Sequence, residues 1–356
     1  MNLLFPINGD ILHVLDGTIT NEGLQVFAKI AADPSDQITV NGQSADQKDG
    51  IFTAPLLLTN YHNTVTVKNH RTGEEATVNV YWSKKFAGGY RLSIDDNIRF
   101  LQDIAQNANV YNSIFENPFL NGLLNIHKRY GTKVHLNLFY QSVDAAFTLS
   151  AFPDMFKEEW QRNSNWLRLS FHAYKEFPDA PYKNASFQTV KDDCDLVMGE
   201  IKRFAGHQLM GPVTTVHWGE VTIEGSRALR AAGYKGQLGY FNVDDDLPPV
   251  SYYLDVEKRR HMKKRFIWKD EAEDIIFIRS SIVLDRKENH EIVPFLDAYR
   301  EAGTPPPYAD FLIHEQYFYP DYAAYQPDYF ERIETAVKWA TDHHYKPAFL
   351  DESIFS

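Results

Sequence analysis

Two textures of hydrophobic and polar positions divide the chain. Up to about Trp82 the apolar residues come in short runs broken by polar ones: Gln25–Ala31, Gln37–Val40, Ile51–Leu58, Thr64–Lys68 and Ala76–Trp82. Asn41-Gly42, Asp49-Gly50 and Thr72-Gly73 separate them, and such pairs supply the positive φ that a tight turn needs. Alternation with a period of two buries one face of each strand, so residues 1–83 are expected to form an all-β sandwich.

After Lys84-Lys85-Phe86-Ala87-Gly88-Gly89 the pattern changes. Apolar strand-like runs now alternate with amphipathic helical stretches. The predicted strands are Tyr90–Ile94, Lys133–Phe139, Leu167–Phe171, Val213–His217, Gln237–Phe241, Ile275–Ile282, Phe311–His314 and Pro347–Leu350. The predicted helices are Ile98–Gln106, Ile114–Tyr130, Phe187–Ala205, Ile223–Ala232, Glu291–Ala302 and Asp328–His343. Such alternation implies parallel strands joined by helical crossovers, and seven or eight units predict an α/β domain over 88–356, a (β/α)7-8 barrel. An open doubly wound sheet is the second choice, but no G-x-G-x-x-G follows any strand. The stretch Asp244–Asp274 interrupts the alternation and is expected to be a long loop or lid.

Composition narrows the partners. The 356 residues carry 44% hydrophobic and 24% charged residues, enough core for two domains, and a net charge of −12. So acidic a chain repels nucleic-acid phosphates and anionic membrane surfaces. The basic run Lys258–Arg265 is framed by Asp255, Glu257 and Asp270 and reads as a solvated loop. Cys194 is the single cysteine, which rules out an internal disulfide and a cysteine metal cluster. No apolar stretch is long enough for a membrane span. The first ten residues carry no secretory signal, which leaves the cytoplasm as the expected location unless a leader was removed.

In barrels of this kind the active site lies at the C-terminal strand ends. There stand Asp95-Asp96-Asn97, then His172 with Glu176 and Asp179, then His217-Trp218-Gly219-Glu220, then His314-Glu315, and finally Asp351-Glu352. Each has a bland alternative: Asp-Asp-Asn before a helix can cap it, and a single His at a strand end is often structural. Recurrence of carboxylates and imidazoles at one predicted rim favours a site with an open position for a divalent metal, zinc first. Trp218, Tyr140, Tyr240, Tyr317 and Phe318 are candidates for a sugar-stacking rim, with core or loop packing as the alternative for each.

Tyr90-Arg91-Leu92-Ser93-Ile94-Asp95-Asp96-Asn97 resembles the first motif of the polysaccharide deacetylases, a strand ending in Thr-Phe-Asp-Asp-Gly. The resemblance implies Asp95 as general base and Asp96 as metal ligand. His172 in Leu169–Glu176 matches the first His of the family's His-(Ser/Thr)-x-x-His motif, which implies His172 as a further ligand; Glu176 replaces the second His and offers its carboxylate as the third ligand, with Asp179 as a further candidate. Thr215-Val216-His217-Trp218-Gly219 stands where the family has Arg-Pro-Pro-Tyr-Gly, and Ala228–Tyr234 is similar to the helix that follows that motif. Leu312-Ile313-His314 is similar to the late Leu-x-His motif, which implies His314 as general acid. His217, Trp218, Glu315 and Tyr240 are the expected substrate contacts. Ile38–Gly42, Gly50–Ala54 and Asn63–Val67 resemble bacterial immunoglobulin-like modules attached to carbohydrate enzymes.

The expected function is therefore a metal-dependent hydrolase that removes N- or O-acetyl groups from a polysaccharide or oligosaccharide. A metal-independent glycoside hydrolase, with its carboxylate pair drawn from Glu220, Glu315, Asp351 and Glu352, is one alternative. A carbohydrate-binding protein without turnover is the other.

Overall fold

The computed structural model describes every residue except Asp245 and Ser356. Its contacts divide the chain into two compact units. The first takes Met1–Ala87 together with Ile267–Ile276 and the chain end from Ser353; the second takes Gly88–Phe266 and Phe277–Glu352.

The first unit holds two five-stranded sheets. In one, Leu24–Ala31 pairs antiparallel with Ile51–Leu58, so that Leu24 faces Leu58 and Ile30 faces Phe52. In the other, His62–Asn69 pairs antiparallel with Glu75–Trp82. Alternate residues point inward. Leu24, Val26, Ala28 and Ile30 of the first sheet and Val65, Val67 and Val80 of the second share one apolar cluster. The turns follow the expected chemistry: Asn41 and Gly42 both have positive φ (47° and 82°), as a two-residue hairpin turn demands.

The second unit is a mixed α/β fold. Gly89–Asn97 lies between two parallel neighbours, Val134–Phe139 and Tyr308–His314, and Leu167–Ala173 flanks Val134–Phe139. Ile282–Val283 adds to the Tyr308–His314 edge. These strands are buried along most of their length and read as continuous apolar runs. In a separate sheet Val213–Thr214 runs parallel to Gly236–Gly239.

The expected closed barrel is corrected here, because the described residues form no continuous closed ladder. The tight turn at His217–Gly219, with Trp218 left-handed, cuts the predicted strand Val213–His217 to Val213–Thr214. A single isolated bridge among the described residues, Leu169–Met210, stands where a ladder between Leu167–Ala173 and that part of the chain would close the barrel. Ser280 and Ser281 likewise split Ile275–Ile282 into Ile275–Arg279 and Ile282–Val283. The last predicted strand shrinks to Lys346–Pro347, and Leu350 instead opens a helix, Leu350–Ile354.

The helices Arg99–Gln106, Phe187–Phe204, Ile223–Ala231, Asn289–Glu301 and Tyr329–Asp342 lie near their predicted places. Ser186 and Thr222 cap two of them through their side-chain oxygens. The stretch read as a loop is also corrected. It contains the helix Val256–Arg265, capped by Asp255, and the strand Ile267–Asp270, so the basic run is helical. Its cations Lys263, Lys264 and Arg265 occupy the last turn, where they complement the helix dipole. No helix among the described residues is long and apolar enough to cross a membrane.

Candidate metal centre and active-site cavity

The C-terminal ends of the parallel strands open into a cavity of about 810 Å³. Gly89–Asn97 delivers two adjacent carboxylates to it. Successive strand residues ordinarily face opposite sides. Here Asp96 adopts a left-handed conformation (φ 63°) and the register slips between Ile94 and Asn97, so Asp95 and Asp96 both line the cavity. Neither caps the following helix, whose N-cap residue is Ile98. Strand register places His314 directly beside Asp95.

Asp96, His172 and His217 form the one group of potential metal ligands among the described residues. Asp96 Oδ1 lies 2.9 Å from His172 Nε2 and 3.1 Å from His217 Nδ1, and the two ring nitrogens are 3.1 Å apart. The outer nitrogen of each ring faces a backbone carbonyl: His172 Nδ1 is 2.5 Å from Thr215 O and His217 Nε2 is 2.9 Å from Glu176 O. Each outer nitrogen must donate its N–H to that carbonyl. In the neutral rings the inner nitrogens are therefore left as bare lone pairs that converge with a carboxylate oxygen. Such a set repels itself without a cation or protons among its members. All three atoms are close enough for one ion to touch them at the usual distances of about 2.0–2.2 Å, and carbonyl-anchored imidazoles are the usual support of a metal site. The residues fit a divalent metal.

Burial works against the charge on Asp96, but the rings of His172 and His217 more than reverse it and hold its carboxyl well below the usual range. Gln316 Nε2 donates to its other oxygen over 2.6 Å. Asp95 is different. Burial dominates and raises its pKa, although His172 and His314 pull the other way. Asn137 Nδ2 donates to Asp95 Oδ1 over 2.7 Å and fixes the carboxylate.

On the neighbouring strand, His314 Nδ1 lies 2.8 Å from Asp285 Oδ1, which also accepts the His314 backbone N–H. Burial disfavours the charged ring, but Asp285 first, then Asp96 and Asp95, outweigh it and push the His314 pKa up to about 10. The Nδ1–H is spent on Asp285, which leaves Nε2–H as the proton the ring can give away.

His217 and Glu176 exchange the roles expected of them. Glu176 borders the cavity, but its carboxylate is outside the ligand group, and its backbone carbonyl orients His217. His217, expected to contact substrate, instead belongs to the group of potential ligands. Glu315 is also corrected. It is fully buried and accepts the backbone N–H groups of Ile98, Arg99 and Phe100 and the Tyr319 hydroxyl, so it anchors a helix start and does not line the cavity.

The carboxylates considered for a glycosidase pair are dispersed. Glu220 pairs with Lys183, Glu352 pairs with Lys133, and neither these two nor Glu315 or Asp351 lines the cavity. Trp218, Tyr240 and Tyr317 do line it. Tyr140 packs on Tyr174, and Phe318 lies against Phe119, Tyr329 and Phe330. Sequence reasoning missed Asn137, Asp285 and Gln316. Thr215 Oγ1 and Gln316 Oε1, buried without a protein hydrogen-bond partner, belong to lining residues and are polar handles for a ligand.

No family model matches the chain, and no curated protein matches it. Solved structures similar over much of its length include the following three. A CE4 esterase of Streptococcus mutans is 11% identical with a TM-score of 0.40, covering 73% of this chain and 84% of its own. A candidate polysaccharide deacetylase of Mycobacterium smegmatis is 10% identical with a TM-score of 0.43, covering 75% and 88%. A 4-alpha-glucanotransferase of Thermococcus litoralis is 13% identical with a TM-score of 0.43, covering 72% of this chain and 38% of its own. At these values the chemistry of the site has to be read from its own side chains.

Proposed function

We propose that this protein is a metal-dependent hydrolase that removes an N- or O-acyl group from a carbohydrate, with zinc as the first candidate metal. The observation that carries this reading is the convergence of Asp96 Oδ1, His172 Nε2 and His217 Nδ1, with both imidazole tautomers set by backbone carbonyls. The carbohydrate part is supported by the sequence resemblance and by the Trp218, Tyr240 and Tyr317 rings along the cavity. The N-terminal unit is proposed to be an immunoglobulin-like module without chemistry of its own.

A divalent cation held by the three ligands supplies Lewis-acid polarisation of the acyl carbonyl and acidifies water. The chain's own groups do the rest. Asp95, oriented by Asn137, takes a proton from the attacking water as its oxygen bonds to the acyl carbon. His314, kept protonated by Asp285, gives the Nε2 proton to the departing oxygen or nitrogen as the acyl bond breaks. The products are a carboxylic acid and a free hydroxyl or amine.

The test is release of free acid from acylated oligosaccharides, before and after chelation and with zinc restored. Loss on chelation and recovery on adding zinc are expected. Full activity in the metal-free protein would reject the reading.

A further inference from the structure

We infer that the acyl group removed at this site is larger than acetyl, a medium-length alkyl or an aryl acyl group. The inference rests on the acyl-hydrolase reading above. It starts from the wall of the cavity on the side of His217. Phe177, Leu247 and Trp218 line that cavity and are 52%, 49% and 38% exposed. A single exposed apolar side chain needs no explanation, but three large ones lining one cavity offer a binding surface.

The wall is built and held. Trp218 sits at φ 64°, a left-handed conformation that a bulky residue adopts only when its surroundings hold it there. The turn is pinned by Gly219 N–H to Val216 O at 2.6 Å and Tyr252 N–H to Gly219 O at 2.5 Å. Val250 closes against it so tightly that a Cβ at Gly219 would stand 2.7 Å from Val250 Cγ1. Val250 O in turn accepts the N–H groups of Tyr240 and Phe241. The Leu247–Val250 segment is thereby bound to the same turn that carries His217.

Volume points the same way. A cavity of about 810 Å³ is in the upper part of the range of about 300–1,000 Å³ for sites that enclose a drug-sized ligand. A two-carbon acyl group leaves the Phe177 and Leu247 surfaces in water. Each further methylene laid against them replaces water contact by apolar contact, a gain of about fourfold in binding. Phe177 adjoins Glu176, whose carbonyl orients His217, and Trp218 follows His217 in sequence. The apolar surface therefore begins beside the ligand set.

The experiment uses the full chain loaded with zinc and a series of p-nitrophenyl esters from acetate through butanoate and hexanoate to octanoate. With wild type, kcat/KM is expected to rise by about fourfold per methylene over the first steps. In Phe177→Ser and Leu247→Ser, both at exposed positions, the rise should flatten, so that the ratio of kcat/KM on octanoate to that on acetate falls toward one. A rate highest on acetate and falling with chain length would overturn the inference and leave the acyl-hydrolase reading standing. A zinc-loaded protein that cleaves no ester in the series and releases no acid from acylated sugars would overturn both.

Discussion

His314 and Asp285 lie on opposite sides of a 29-residue separation in sequence and meet at 2.8 Å, imidazole Nδ1 to carboxylate Oδ1. The contact settles which proton of the ring is available. With Nδ1 engaged, only Nε2 can serve the cavity, and the carboxylate beside it keeps the ring charged across the physiological range. A general acid must begin its step protonated, and this pairing meets that condition for the acid role proposed for His314.

Replacing Asp285 by Asn should therefore act through pH. The His314 pKa of about 10 falls toward the ordinary value of about 6.5, so at pH 8 the ring changes from charged to largely neutral. A drop in kcat of about 10²-fold at that pH is expected, with the alkaline limb of the profile moved to lower pH. Stability follows the same linkage. Because the folded pKa lies above the unfolded one, the stabilisation is fully present below about pH 6.5 and is lost as pH rises through about 10. Thermal melts across that window should show the decline in wild type and not in Asp285→Asn. An unchanged rate profile would remove His314 from the acid role.

Metal content separates the ligand assignments. Near-stoichiometric zinc is expected in wild type and background levels in Asp96→Ala, His172→Ala and His217→Ala, measured by elemental analysis after dialysis. Glu176→Ala should retain its zinc, since the contact that residue makes with His217 comes from the backbone carbonyl. Zinc lost in Glu176→Ala and kept in His217→Ala would reverse the assignment made from the geometry.

Asn137 should behave as a positioning residue. Its amide reaches Asp95 Oδ1 at 2.7 Å and is buried with it. Hydrogen bonds to charged groups contribute about 1.5–3 kcal/mol, so Asn137→Ala should lower kcat by about 10- to 100-fold with KM and zinc content unchanged. Asn137→Asp, the same size with a like charge facing Asp95, should cost more. Steady-state kinetics on one soluble substrate decide this, and a change confined to KM would place Asn137 in substrate binding.

The legible parts of the fold are those with periodic burial. Leu24, Val26, Ala28 and Ile30 announce their strand by alternation, and Asp95, Asp96, His172 and His314 announce a rim because polar residues end apolar runs. The helix Val256–Arg265 had no such signal: it buries only Met262, so no apolar stripe marks it, and Asp255 at its N-cap was the sole cue. Asp285 lies in Leu284-Asp285-Arg286-Lys287, a run that looks like solvated charge, and only the tertiary fold buries its carboxylate beneath His314. Spacing after His172 favours Glu176 as a third ligand, but its carboxylate lies outside the group of potential ligands. The turn at Trp218 and Gly219 instead brings in His217, 45 residues later.

Glu315 is the residue whose neighbourhood in sequence most misleads, and its variant tells structure from chemistry. It follows His314, yet its carboxylate is turned away to receive three backbone N–H groups of the Ile98–Phe100 turn and the Tyr319 hydroxyl. These are donors that a helix start leaves without internal partners. Glu315→Ala strands them in the interior and is expected to lower unfolding stability by about 3 kcal/mol or more, read as a fall in the denaturant midpoint. Glu315→Gln keeps one acceptor oxygen and should lose less. The folded fraction of either variant should keep its zinc and its KM, because the carboxylate borders neither ligand nor cavity. A raised KM with an unchanged midpoint would return Glu315 to the substrate.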